Sequence, residues 1–341
     1  MYVVIGGVVP FLHHPDVSQT KKEAVESTQF YSDSAGPDRA TIIEDNEEAL
    51  KMRLRVIKDA KKTLILSTFD FRSDDAGKDV LAALLNAADR GVKVEIFADG
   101  FNSIIQMENN DYFYALSSNK NIKIIIYNQV NILIPWNGLG RMHDKYVISD
   151  DSLYILGGRN TFGYFLGDYA GHKNYDRDVL VYNTGSKDSS IYQIKDYYKK
   201  ITSQKCCSVF HYNESLGEKN SVKKAEQELK NRYESLENKY DKFLAENYDY
   251  KANTYETNKI NLLSNPTSLY AKQPTVYYGL MYLAKNAKKE VKIHTPYIIC
   301  NDYMYNELKN IKVPTTIMTN SAENNGNIFG AVDYLNHKKD I

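Results

Sequence analysis

The 341-residue chain is longer than one ordinary hydrophobic core and suits two domains of roughly 120 to 170 residues each. Its 43 Lys and Arg balance 43 Asp and Glu, which excludes a bulk field drawing the whole protein to nucleic acid or an anionic membrane; a site for a polyanion has to be local. Cys206, Cys207 and Cys300 form no spaced framework, so they read as free thiols, and no zinc site is assigned.

In chain order, Val3 to Leu12 is apolar but broken by Gly6, Gly7 and Pro10. It is far shorter than the roughly 20 residues that span a bilayer, so it is not read as a transmembrane helix. It lacks a basic leader and a small-residue cleavage site, and no signal peptide is assigned. An edge-packed or disordered start is the reading taken, with the remnant of a longer membrane anchor left open. Residues 13 to 40, rich in Ser, Asp and Pro, predict an extended lead-in. From Asp45, an N-cap with Glu47 and Glu48 precedes Leu50, Leu54 and Ile57 at helical spacing, ending in Lys61 and Lys62. Thr63 to Phe69 reads as a buried strand, Val80 to Arg90 as a helix stopped by Gly91, and Val92 to Ala98 as a strand. Ile122 to Tyr127, Lys145 to Ser149 and Leu153 to Gly157 continue the strands. Strands alternating with helices predict an α/β fold, a mixed sheet flanked by helices on both faces.

Between about Asp188 and Glu256 the residues Val222, Ala225, Leu229, Tyr233, Leu236, Tyr240 and Phe243 recur three and four apart, predicting an amphipathic helix that packs its stripe on the domains. From Ile260 the α/β style returns, with helices over Tyr277 to Lys288 and Tyr303 to Lys309 and strands over Val291 to Thr295 and Val313 to Thr319. This repeats the earlier order and reads as an incomplete second copy. The expected organisation is a lead-in over 1–40, a first domain over 41–185, a helical connecting segment over 186–258 and a partial second domain over 259–341.

The chemistry-bearing stretch is Arg141 to Asn160, RMHDKYVISDDSLYILGGRN. On a strand, side chains alternate, so His143 and Lys145 are expected on one face. An imidazole able to attack phosphorus and a fixed cation able to hold nonbridging oxygens are the pair a phosphodiester requires. Asp150 is expected to orient one of these groups. Gly157 and Gly158 let backbone pass close to an anion, and Asn160 donates an amide hydrogen bond.

The array matches His-x-Lys-x4-Asp-x6-Gly-Gly-x-Asn at every position and so resembles the signature of the phospholipase D superfamily. Further likeness lies in Phe69 to Gly77, in Ala87 to Val94 and in Asp176 to Val181. Thr295 to Tyr297 and Thr319 to Ser321 resemble elements of the second domain of bacterial cardiolipin synthase-like members. The resemblance implies a phospholipase D-like fold, no cofactor or metal, and a two-step transfer through a phosphohistidine on His143, with Lys145 and Asn160 on phosphate oxygens. In the family two such motifs meet, one His as nucleophile and the other as general acid. Only one is found here. His337, Lys338, Lys339 and Asp340 lack the downstream partners and read as a helical surface. The second motif is therefore expected either beyond residue 341 or from a second copy in a homodimer.

Other candidates read as structural. Asp74, Asp75 and Gly77 form a helix N-cap rather than a metal turn, and His172 and Lys173 sit in a solvated loop with substrate contact as the alternative. Ile132, Leu133, Ile134, Pro135 and Trp136 form either an apolar lip for acyl chains or core. The function expected is phosphatidyl transfer or hydrolysis on phospholipids, with a membrane surface as a partner and a peripheral or cytoplasmic bacterial location. A nuclease of the same superfamily and an inactive scaffold half are the alternatives, and the neutral charge counts against nucleic acid.

Overall fold

Asp45 caps the helix Asn46–Asp59, its carboxylate accepting the amides of Glu47 and Glu48 at 2.8 and 2.9 Å. Asp74 does the same for the helix Asp75–Asp89 through the Gly77 amide at 2.9 Å. The structure, a computed structural model, describes residues 1–211, 214–244, 248–321 and 328–339. It divides into two compact units, one of residues 1–13, 30–262 and 267–271, the other of 14–29, 263–266 and 272–341.

The strands of the first unit are β1 (Asp38–Ile43), β2 (Thr63–Thr68), β3 (Lys93–Asp99), β4 (Ile122–Tyr127), β5 (Tyr146–Ser149), β6 (Leu153–Gly157), β7 (Asp178–Asn183), β8 (Cys207–Val209) and β9 (Tyr255–Glu256). Among the described residues they form one mixed sheet in the order β8-β4-β3-β2-β5-β6-β7-β1-β9. β2, β3 and β4 run parallel, while β5 pairs antiparallel with both β2 and β6. The sheet is buried on both faces, and the period of two sorts its side chains. Ile122, Ile124 and Ile126 enter one core with the helices Asn46–Asp59, Asp75–Asp89 and Asn220–Lys239, whereas Ile125 and Tyr127 enter another with the helix Ile191–Thr202. The expected α/β fold with helices on both faces is what the chain adopts.

The expected boundaries shift in three places. Residues 1–40 are not an extended lead-in: they hold the helices Tyr2–Val8 and Gln19–Glu26 and the start of β1. The helix Tyr2–Val8 packs on the turn Pro135–Asn137, where a Cβ on Gly6 would stand 2.7 Å from Pro135 Cγ. Residues 186–258 are not a separate connector either. Their helix Asn220–Lys239 buries Val222, Leu229, Tyr233 and Leu236 in the first core, and β8 and β9 extend the sheet at its two edges. The second unit reaches back to include 14–29, with Tyr278 hydrogen-bonded to Glu26.

The second unit, taken by itself, holds the helices Thr275–Lys285 and Asp302–Lys309 and the parallel strands β10 (Val291–His294) and β11 (Thr315–Met318). This parallel pair repeats the relation of β2 to β3. His337 ends the helix Ile328–His337 with its ring stacked on Tyr305 at 4.5 Å, and Asp340 lies outside the described residues.

Candidate active site

Because β5 runs against β2, its start lies at the same sheet edge as the ends of β2, β3, β4 and β6. That edge gathers Phe69 and Asp70 after β2, Asp99 at the end of β3, and Asn128 just past β4. It also gathers His143 to Lys145 before β5, Gly157 to Asn160 at the end of β6, and Asp176 to Asp178 at the start of β7. Openings at the carboxyl ends of parallel strands are where α/β sheets place ligands.

The structure brings His143 and Lys145 together. Lys145 Nζ lies 3.1 Å from His143 Nδ1 and donates to the His143 carbonyl at 2.7 Å. The imidazole packs on Phe69, centroids 4.6 Å apart, and the Lys145 ammonium lies 5.6 Å from the same ring. Among the described residues His143 Nε2 has no hydrogen-bond partner; an ammonium can only donate, so in this arrangement Nδ1 accepts and the ring proton sits on Nε2. Part of His143 is exposed, yet desolvation at this packed edge, and then the neighbouring ammonium, lower its pKa to about 4. The ring is neutral at neutral pH. Burial lowers Lys145 to about 8, with Asp144, Asp176 and Asp70 pulling it back up.

Several carboxylates hold this arrangement. Asp99 is fully buried and accepts the Met142 amide at 2.9 Å and the Phe101 amide at 2.9 Å, with Arg141 at 3.3 Å. It thereby fixes the backbone one residue before His143. Tyr197 donates to Asp144 at 2.6 Å. Beneath the glycines, Asp178 bridges Arg53 at 2.9 Å and Arg159 at 3.2 Å, all three side chains buried, while Arg159 also donates to the carbonyls of Ile43 and Glu44.

Gly157 and Gly158 stand at the same edge for a steric reason. A Cβ on Gly157 would lie 1.9 Å from Asp178 Oδ1 and 2.6 Å from the Arg177 carbonyl, and one on Gly158 would lie 2.2 to 2.5 Å from the Asp176 carboxylate. The Gly157 amide donates to the Lys145 carbonyl at 3.2 Å, locking the two motif halves together. Asn160 Oδ1 accepts the Asp70 amide at 3.3 Å, which leaves its NH2 group without a partner among the described residues.

Asp150 is placed elsewhere, and the expectation that it orients His143 or Lys145 is corrected. It follows the far end of β5, about 16 Å along the strand from Lys145 at roughly 3.3 Å per residue. With φ 51° its carboxylate accepts the amides of Lys61, Lys62 and Thr63 at 2.8, 2.9 and 2.8 Å, tying down the entry to β2. A carboxylate with three such bonds is spent on the scaffold.

The lesser candidates are also placed. Asp74 is the helix cap and additionally accepts the Gly163 amide at 2.8 Å. Lys173 clamps its own loop through the carbonyls of Gly163 and Gly167, and His172 pairs with Asn174. Ile132 and Leu133 are more than 70% exposed, and Trp136 and Leu139 are exposed beside them. Tyr2 donates to the Leu133 carbonyl and brings the exposed Val4, Ile5 and Val8 next to this segment, so it is a surface lip rather than core. Phe69, Asp70 and Asp99 were not identified from the sequence as site residues; their available signal was position, Asp99 ending β3 and Phe69 and Asp70 directly following β2.

A family model described as "Cardiolipin synthase, PLD-like domain" matches residues 54–201. The chain is 31% identical over 142 residues to cardiolipin synthase B of Salmonella typhi, covering 41% of this chain and 34% of that protein. It is 27% identical over 309 residues to an uncharacterised protein of Helicobacter pylori, covering 83% of this chain and 59% of that one. The chain thus spans about a third of the cardiolipin synthase and about three fifths of the Helicobacter protein. Among solved structures, phosphatidylserine synthase of Haemophilus influenzae aligns with TM-score 0.57 and 14% identity over 94% of this chain and 72% of that one, a likeness of fold.

Proposed function

We propose, from the premise that the chain belongs to the phospholipase D superfamily through its residues 54–201, that it transfers or hydrolyses phosphodiesters through a covalent phosphohistidine, with phospholipids as substrates. The observation that carries the reading is the neutral His143 imidazole, with no partner on Nε2 among the described residues, set 3.1 Å through Nδ1 from a buried ammonium able to take up phosphate charge. As Lys145 turns from Nδ1 onto the nonbridging oxygens with the Asn160 amide, the ring proton moves to Nδ1 and frees the Nε2 lone pair, which attacks phosphorus; the nitrogen–phosphorus bond forms as the phosphorus–oxygen bond to the leaving alcohol breaks. The leaving alkoxide takes its proton from a second imidazole outside this motif. Water or an acceptor alcohol then attacks phosphorus and returns His143. Asp150 contributes through the fold. The exposed lip of Ile132, Leu133, Trp136 and Leu139, just ahead of the motif, supports a lipid substrate. A nucleic acid is less favoured, since three carboxylates face Lys145 where a strongly basic groove would be expected.

The test is head-group release from phospholipid vesicles by the protein and by His143→Ala, with a search for an acid-labile, base-stable phosphoryl group on the chain. Loss of both in the variant supports the reading. Turnover that persists at the wild-type rate in His143→Ala overturns it.

A further inference from the structure

Arg72 is built into this edge but takes no part in the chemistry above. Its Nε and Nη2 donate to Asp70 Oδ2 at 3.0 and 2.6 Å, and its guanidinium carbon lies 3.7 Å from the centroid of the buried Phe162 ring. Tyr164 adds a second ring at 5.6 Å. One edge and one face of the planar cation are thus occupied, which removes the freedom an arginine side chain otherwise has. The Nη1 group has no partner among the described residues, and the side chain keeps about a third of its surface in solvent. A preorganised donor is left pointing outward.

Its neighbours tie it to the site. The Asp70 amide donates to Asn160 Oδ1, the Thr161 amide donates to the Asp70 carbonyl, and the Arg72 amide donates to the Thr161 carbonyl. Arg72 and Asn160 therefore sit on two chain segments laced together across a single residue step. The Asp70 carboxylate is bonded to Arg72 and acts electrostatically on Lys145, and its Oδ1 is buried with no hydrogen-bond partner among the described residues. An isolated buried carboxylate oxygen is costly, and here the positive charges of Arg72 and Lys145 offset it. Lys145 is already bonded to the His143 carbonyl and serves the reacting phosphate, so a second cation of fixed direction beside it suits a second acidic group.

We infer that Arg72 is a second anion-binding residue of the site, selecting substrates in which another acidic group, a phosphate above all, follows closely on the phosphorus that His143 attacks. The inference rests on the proposed phosphodiester chemistry and names its substrate class. A guanidinium free edge matches two phosphate oxygens better than an ammonium would.

The experiment is a calorimetric titration of the protein with inorganic pyrophosphate and, separately, with inorganic phosphate. It is repeated on Arg72→Ala and Arg72→Lys, and thermal melting confirms that each variant is folded. The wild type should bind pyrophosphate at least roughly tenfold more tightly than phosphate, and Arg72→Ala should abolish that preference while leaving phosphate affinity within about twofold. Arg72→Lys, which keeps the charge without the fork, should retain part of it and guards against loss of the Asp70 partner unfolding the alanine variant. No preference in the wild type, or an unchanged preference in a folded Arg72 variant, overturns the inference. Because binding is read without turnover, inactivity of His143 chemistry is registered separately by the head-group assay.

Discussion

The Lys145 ammonium lies 3.1 Å from His143 Nδ1 and 2.7 Å from the carbonyl oxygen of the same residue, so its position is set by the backbone of the residue it assists. Burial favours the uncharged form of both groups, lowering the imidazole to about 4 and the ammonium to about 8. Attack needs the ring neutral and the amine charged. The rate should therefore rise through the lower value, hold between the two, and fall through the upper one. The dependence of kcat/KM on pH for a soluble diester checks this. Lys145→Arg should remove the alkaline fall, because a guanidinium stays charged; an alkaline limb that stays in place in this variant would assign it to another group.

Asp150→Ala should act on stability more than on chemistry. It deprives the amides of Lys61, Lys62 and Thr63 of their common acceptor, at a cost of about 2 to 3 kcal/mol. Denaturant unfolding gives the cost, and turnover per folded molecule should fall far less than in His143→Ala. A drop as deep as that of His143→Ala, with stability unchanged, contradicts the scaffold role.

Gly157→Ala is expected to cost about 1 to 3 kcal/mol, because the added Cβ meets the Arg177 carbonyl and the Asp178 carboxylate, both fixed in place. Asp178 cannot swing aside without releasing Arg53 and Arg159. Removing Arg159 instead, as Arg159→Ala, should cost about 3 to 5 kcal/mol, since it leaves buried charge uncompensated. Melting temperatures of the two variants test the ordering.

Much of this was legible in the residues. Ile122 to Tyr127 and Leu153 to Gly157 were delimited to the residue by their apolar runs, and Asp45 and Asp74 announced their helices as caps. The nearness of His143 to Lys145 was expected from their spacing, although both precede β5 rather than alternating on it. Other features left no local trace. β8 and β9 are edge strands of three and two residues whose partners lie far off in sequence, so periodicity has nothing to act on. Arg159, between two motif positions, looks like a solvated surface residue yet is fully buried. Asp150 was misassigned because a carboxylate that steadies an imidazole and one that collects backbone amides are the same letter in the same motif; only the left-handed turn after β5 separates them.

The exposed lip gives a prediction that distinguishes substrates. Leu133→Ser and Trp136→Ala together should slow turnover on phospholipid vesicles roughly tenfold while leaving a soluble diester unaffected, since they remove apolar contact area and no chemical group. Equal slowing on both substrates would show instead that the segment shapes the catalytic edge itself.

β5 is an interior strand, hydrogen-bonded on one side to β2 and on the other to β6, and the reactive pair protrudes from its rim. On the proposed function, reactivity and selectivity fall to different parts of the chain. The first is welded into the middle of the scaffold. The second rests on connections such as 69–74, 128–141 and 161–176 that only border it. Grafting those connections from a relative is then the economical route to an altered ester preference, whereas transplanting the strand would forfeit the protein.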